Sequence, residues 1–168
     1  MLTQESLPQE GKIIMWTYIY LTISLLHPQL SSTTVGSYAD AIVKQAETTY
    51  VDPYMIVSII EHESRFDHNA ISEDTLDVGL MQVRSMYYGG KRDWLFNGLT
   101  NIKAGGYVIK KSIDFCRGFL KREPTTQEWL SVYQGSIPSC KSNKLTKQVE
   151  DYMFCLRSDL TQAKTCHF

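Results

Sequence analysis

Residues 59–83 read IIEHESRFDHNAISEDTLDVGLMQV, and the reading of the whole chain turns on them. Glu61, His62 and Glu63 stand in a row, and Asp77 comes directly before Val78-Gly79-Leu80-Met81-Gln82. A zinc-binding helix would need H-E-x-x-H, but the fifth position counted from His62 is Phe66, and His68 lies off that face. His62 is therefore read as a helix-face histidine. Glu63 follows Ile60 by three and Ile59 by four, so it shares their apolar face. The helix is expected to end near Phe66, which sets Glu63 in the last turn, at the negative end of the dipole. An apolar setting and that dipole both disfavour a carboxylate and raise its pKa. A rise of two units corresponds to about 2.7 kcal/mol of disfavoured ionisation. A carboxylic acid kept protonated near neutral pH can donate to a leaving oxygen. Spacing alone leaves open the competing reading of a glutamate turned to solvent at a helix end. It leaves Glu61 open too, four residues after Val57 and seven after Tyr54.

Moving upstream, Asp52 before Pro53 is an N-cap followed by proline at the first helical position. The helix they start is apolar on most sides for two turns, so it belongs at the centre of the core. Ahead of it, Tyr38, Ala39, Ile42, Val43 and Ala46 recur at helical spacing, as on a one-sided surface helix. The polar segment 31–36 reads as a linker. Downstream, residues 67–77 are rich in turn formers and are expected as a loop or a short hairpin. Gly89-Gly90 is a break. Residues 99–116 predict a helix with Ile102, Val108, Ile109, Ile113 and Phe115 inward. Its Ala104-Gly105-Gly106 patch permits a close helix approach. Pro124 restarts a helix through 125–135, and residues 149–160 give a last one. The fold class is mainly α: a helical domain over residues 37–168, large enough to bury a core and leave a cleft, with at most a short hairpin.

Composition narrows the partners. Of 168 residues, 43% are hydrophobic and 21% charged, which is globular and not disordered. The net charge of −1 argues against nucleic acid as the main partner. Charge is uneven: Lys103, Lys110, Lys111, Arg117, Lys121, Arg122, Lys141, Lys144 and Lys147 face only Asp114, Glu123 and Glu128 over that stretch. Such a basic side is either a solvated helix face or a surface for a polyanion.

The apolar run Ile13 to Leu26 has 14 residues behind Lys12. A membrane span takes about 20, whereas a signal-peptide core takes fewer. Glu5 and Glu10 are atypical of a basic leader, and no A-x-A cleavage site follows. Residues 1–36 are accordingly expected as a signal peptide with its linker, or as an uncleaved membrane anchor. Cys116, Cys140, Cys155 and Cys166 include no C-x-x-C, and His167 has no matching partner, so zinc is not expected. Export would make them one or two disulfides, with three full pairings open.

Four short motifs in register add a family resemblance: Glu63-Ser64, Gly79-Leu80-Met81-Gln82, Asn101-Ile102-Lys103-Ala104-Gly105 and Tyr133-Gln134-Gly135. Together they resemble the soluble lytic transglycosylases of the lysozyme-like superfamily, over roughly Tyr38 to Gly135. The resemblance implies an α+β lysozyme-like fold, no cofactor, and peptidoglycan glycan strands as partner. It implies Glu63 as the single acid/base at the bond between N-acetylmuramic acid and N-acetylglucosamine, with formation of a 1,6-anhydro ring. It implies cleft roles, orienting Glu63 or contacting sugar, for Ser64, Asp77, Gly79, Met81, Gln82, Tyr133 and Gln134, while core packing is the alternative for Leu80, Met81 and Tyr133. Gln134 stands where the family usually has asparagine. Asp77 is similar to the aspartate of c-type lysozymes and of the small transglycosylases of secretion and conjugation machines. That leaves it as a second carboxylate or as a turn residue capping backbone amides. The resemblance thus implies export to the periplasm or cell envelope and a local role beside an envelope-spanning complex. A hydrolytic muramidase and a non-catalytic glycan-binding or assembly protein are the alternatives.

Overall fold

In a computed structural model, residues 9–73, 76–90, 92–135, 140–141 and 144–158 are described. The central element is the helix Pro53–Ser64, here α3, after α1 (Gln9–Leu26) and α2 (Ser32–Thr49). Asp52 caps α3 by accepting from the Tyr54 amide at 2.9 Å, and Pro53 opens the first turn. Met55 to Ile60 are all buried, as their near-continuous apolarity dictates. The helix stops where Arg65 (φ 51°) and Phe66 (φ 59°) both enter the left-handed region. Each such residue costs about 1–2 kcal/mol. The sharp turn drives Phe66 into the core, against the rings of His27 and Tyr38.

α2 packs on α3 with Val35, Tyr38, Ala39, Ile42 and Ala46 inward. Segment 31–36, expected as a linker, instead supplies its start: Ser31 Oγ accepts from the Thr34 amide at 3.1 Å, and the chain is helical from Ser32. Residues 9–26, within the expected leader, form α1, which packs on α2 and α3 with Ile19 and Ile23 fully buried. Among the described residues no helix is long and apolar enough to cross a membrane.

The hairpin falls later than the 67–77 loop. β1 (Asp77–Val78) pairs antiparallel with β2 (Val83–Arg84), Asp77 opposite Arg84 and Val78 opposite Val83. Residues 79–82 are the connection between the strands. Single turns at Ser85–Tyr88 and Arg92–Phe96 lead to α4 (Gly98–Leu120). Its 23 residues run about 35 Å. Ile102, Gly105, Ile109, Ser112 and Cys116 form its buried face. Phe115, expected inward, lies one step off that face and is 45% exposed. The small-residue patch does receive neighbours closely: a Cβ on Gly105 would sit 2.3 Å from Met81 Sδ, and one on Gly106 2.3 Å from Gln45 Oε1.

α5 (Thr126–Tyr133) starts with a capping box between Thr125 and Glu128. α6 (Lys144–Ser158) begins earlier than expected and packs on α3 and α5 through Val149 and Leu156. A disulfide joins Cys116 of α4 to Cys140. Cys155 is disulfide-bonded as well, while Cys166 lies outside the described residues. The architecture is the mainly α, lysozyme-like one that the motifs imply.

Candidate active site

The connection 79–82 is fixed from three helices. From α3, Ser64 Oγ donates to the Leu80 carbonyl at 2.8 Å. From α4, Asn101 Nδ2 donates to the carbonyls of Val78 and Leu95, both at 2.8 Å, and its Oδ1 accepts from the Met81 amide at 2.8 Å. From α5, Tyr133 Oη donates to the Met81 carbonyl at 2.7 Å. Gly79 is required twice over. Its φ is +77°, and a Cβ there would fall 2.2 Å from Asn101 Nδ2 and 2.5 Å from the Leu95 carbonyl. Leu80 and Met81 point into the core and are fully buried.

Held this way, the hairpin forms one wall of a cleft of about 1020 Å³, with Asp77, Gln82, Val83 and Arg84 facing it. The opposite wall is α4, through Tyr107, Val108, Lys111, Ser112 and Phe115. The end of α5 adds Val132, Tyr133, Gln134 and Gly135, and Glu63 enters from the last turn of α3. That volume accommodates an extended ligand. Of the sequence candidates, Glu63, Asp77, Gln82, Tyr133 and Gln134 meet at this cleft. Ser64, Gly79 and Met81 stand behind its wall, in the scaffold just described.

Burial, then the charge of Asp77, pushes the Glu63 carboxyl up to about 7. Asp77 itself is gripped by a fork: Arg84 Nε donates to Oδ1 at 2.9 Å and Nη2 to Oδ2 at 3.3 Å. Tyr133 is raised well above its ordinary value by burial and by the charges of Glu63 and Asp77, so it stays a neutral phenol at physiological pH. Gln82 adopts a left-handed backbone (φ 45°), and its Nε2 donates to the carbonyls of Ala70 and Gly79. This ties the 67–77 loop to the hairpin. Gln134 lines the cleft, and its Oε1 is buried without a hydrogen-bond partner among the described residues.

Glu61 lies elsewhere: its Oε2 meets His27 Nε2 at 2.6 Å and links α3 to the segment after α1. Among the described residues no three His, Cys, Asp or Glu side chains gather as metal ligands. Sequence reasoning missed Arg84, whose role appears only once the strand register sets it opposite Asp77. It also missed the scaffolding work of Asn101, which it met only as part of a motif.

The model of the Transglycosylase SLT domain family matches residues 40–136, from the middle of α2 to just past α5. The chain therefore belongs to the family of transglycosylase SLT domains, a glycan-cleaving class within the lysozyme-like superfamily. No curated protein and no solved structure matches the chain.

Proposed function

We propose that the protein is a lytic transglycosylase of peptidoglycan, with Glu63 as its one acid/base. The observation that carries this reading is a carboxyl pushed up to about 7 in the wall of a cleft wide enough for a glycan. Glu63 donates its proton to the oxygen of the β-1,4 bond between N-acetylmuramic acid and N-acetylglucosamine as the C1–O bond breaks. The leaving sugar departs as an alcohol, and C1 of the muramic unit becomes electron-deficient. The Glu63 carboxylate then takes the proton of the 6-hydroxyl while O6 bonds to C1. The 1,6-anhydro ring closes, Glu63 regains its proton, and no water is consumed. A pKa near the working pH suits a group that must first give and then accept a proton.

The other candidates act around this step. Gln82, Tyr133 and Gln134 orient the sugar from the cleft wall. Ser64, Gly79 and Met81 act through the connection that positions them. Asp77 supports the protonated form of Glu63 by its charge. Both its oxygens accept from Arg84, which weighs against a nucleophilic role. The substrate lies outside the cytoplasm, so the proposal includes export to the periplasm or cell envelope.

The test is mass analysis of the products from purified peptidoglycan, with Glu63→Gln as control. Anhydro-muramic ends from the parent and none from the variant are expected. Free reducing ends would instate a hydrolytic muramidase that uses Asp77 and water. A Glu63→Gln chain that lyses wall as well as the parent would sink both enzyme readings and leave a glycan-binding protein.

A further inference from the structure

α4 carries a ridge that the step at Glu63 does not use. Tyr107, Lys111, Phe115 and Phe119 recur at every fourth residue, so they align along one side of the helix. The first three line the cleft, and Phe119 continues the line beyond it. Tyr107 is 50% exposed and Phe119 58%, at positions where a surface helix ordinarily shows polar side chains. The rings of Phe115 and Phe119 lie 6.3 Å apart with planes within 10° of each other, a near-parallel pair. Lys111 Nζ stands 5.3 Å over the Tyr107 ring. Arg117 and Arg122 are engaged with Asp114, Glu123 and Glu128, whereas Lys111 belongs to none of the ion pairs among the described residues.

We propose that this ridge is a glycan-strand site that continues the cleft, holding sugar units beyond the bond at Glu63 and reading the carboxylates of the peptide stems. The proposal rests on the function given above, for it takes the same polymer as ligand. From Tyr107 to Phe119 the ridge spans about 18 Å, longer than one disaccharide. The C–H faces of β-linked pyranoses lie flat on aromatic rings, and the exposed rings along the ridge offer such faces. Lys111 stands between Tyr107 and that aromatic pair, where its ammonium group meets an anion. In a peptidoglycan strand each stem carries several carboxylates that reach away from the sugar, whereas a strand stripped of peptide keeps only the lactyl carboxylate of each muramic unit. Continuity with the cleft and charge complementarity thus select one occupant.

Binding tests it without any chemistry, in the full chain carrying Glu63→Gln. Soluble strands of graded length, with and without stems, are titrated against that chain. The same titrations are run with Phe115→Ser plus Phe119→Ser added, and separately with Lys111→Met. These side chains are exposed, and circular dichroism with a thermal midpoint checks each fold. The double change is expected to weaken long strands about tenfold, with the loss shrinking as the strand shortens. Lys111→Met is expected to weaken stem-bearing strands more than stripped ones. Equal affinities for parent and variants at every length would overturn the ridge. The product analysis stands apart: a parent chain that binds with this length dependence but yields no anhydro ends keeps the ridge and loses the reaction.

Discussion

At the scale of single residues, the proposed acid Glu63 carries a stability cost. The folded carboxyl binds its proton more tightly than the unfolded one, about 7 against 4.5. The folded state therefore loses stability as pH climbs through that window and stays penalised above it. Replacing Glu63 by Gln removes the penalty. Denaturant titrations should show the variant more stable than the parent by about 3 kcal/mol above pH 7, with the gain vanishing below about pH 4.5. Asp77→Asn removes a charge that raises Glu63, so the alkaline limb of the rate profile should move to lower pH with activity retained. Loss of activity at every pH would instead give Asp77 a direct chemical part. Gly79→Ala should cost roughly 2 kcal/mol or more, read as a lower denaturant midpoint, because its Cβ meets Asn101 and its φ is positive. The helix spacing set Glu63 on an apolar face but left a glutamate turned to solvent open, and only the family motifs singled it out as an acid. The fork on Asp77 was out of reach, since it depends on which residue faces which across a two-residue pairing, and no local pattern encodes that.

At the scale of elements, the N-cap at Asp52, the core helix and the close approach at Gly105-Gly106 were legible because each is a local rule. Two expectations failed for a physical reason. Segment 31–36 looks like a linker by polarity, but serine and threonine at a helix start are capping residues, and Ser31 uses its hydroxyl that way. Phe115 looks buried by type, but α4 flanks a cleft, and its second face keeps aromatic residues exposed. The Cys116–Cys140 disulfide closes a separation of 24 residues around α5. Its loss through Cys116→Ser with Cys140→Ser should cost about 3 kcal/mol, seen as a lower denaturant midpoint. Which cysteines pair was not readable from spacing, because the pairing follows from how α5 folds back along α4.

At the scale of the whole molecule, the family match begins within α2, yet α1 lies against the core ahead of it. Ile19 and Ile23 are fully buried there, and full burial is worth roughly 1.5–3 kcal/mol per side chain. His27 then meets Glu61 of α3. A chain beginning at residue 31 should melt at a lower temperature and bind a hydrophobic dye that the full chain does not, which calorimetry and fluorescence can compare. The three clamps on the 79–82 connection carry a last consequence. They reach 16, 20 and 52 residues along the chain, the longest from Tyr133 of α5. Contacts of long sequence separation must first meet the entropy of closing the loops between them. On the function proposed above, a half-folded chain has its acid but no wall to hold a substrate against it, so activity would arrive only with completed assembly.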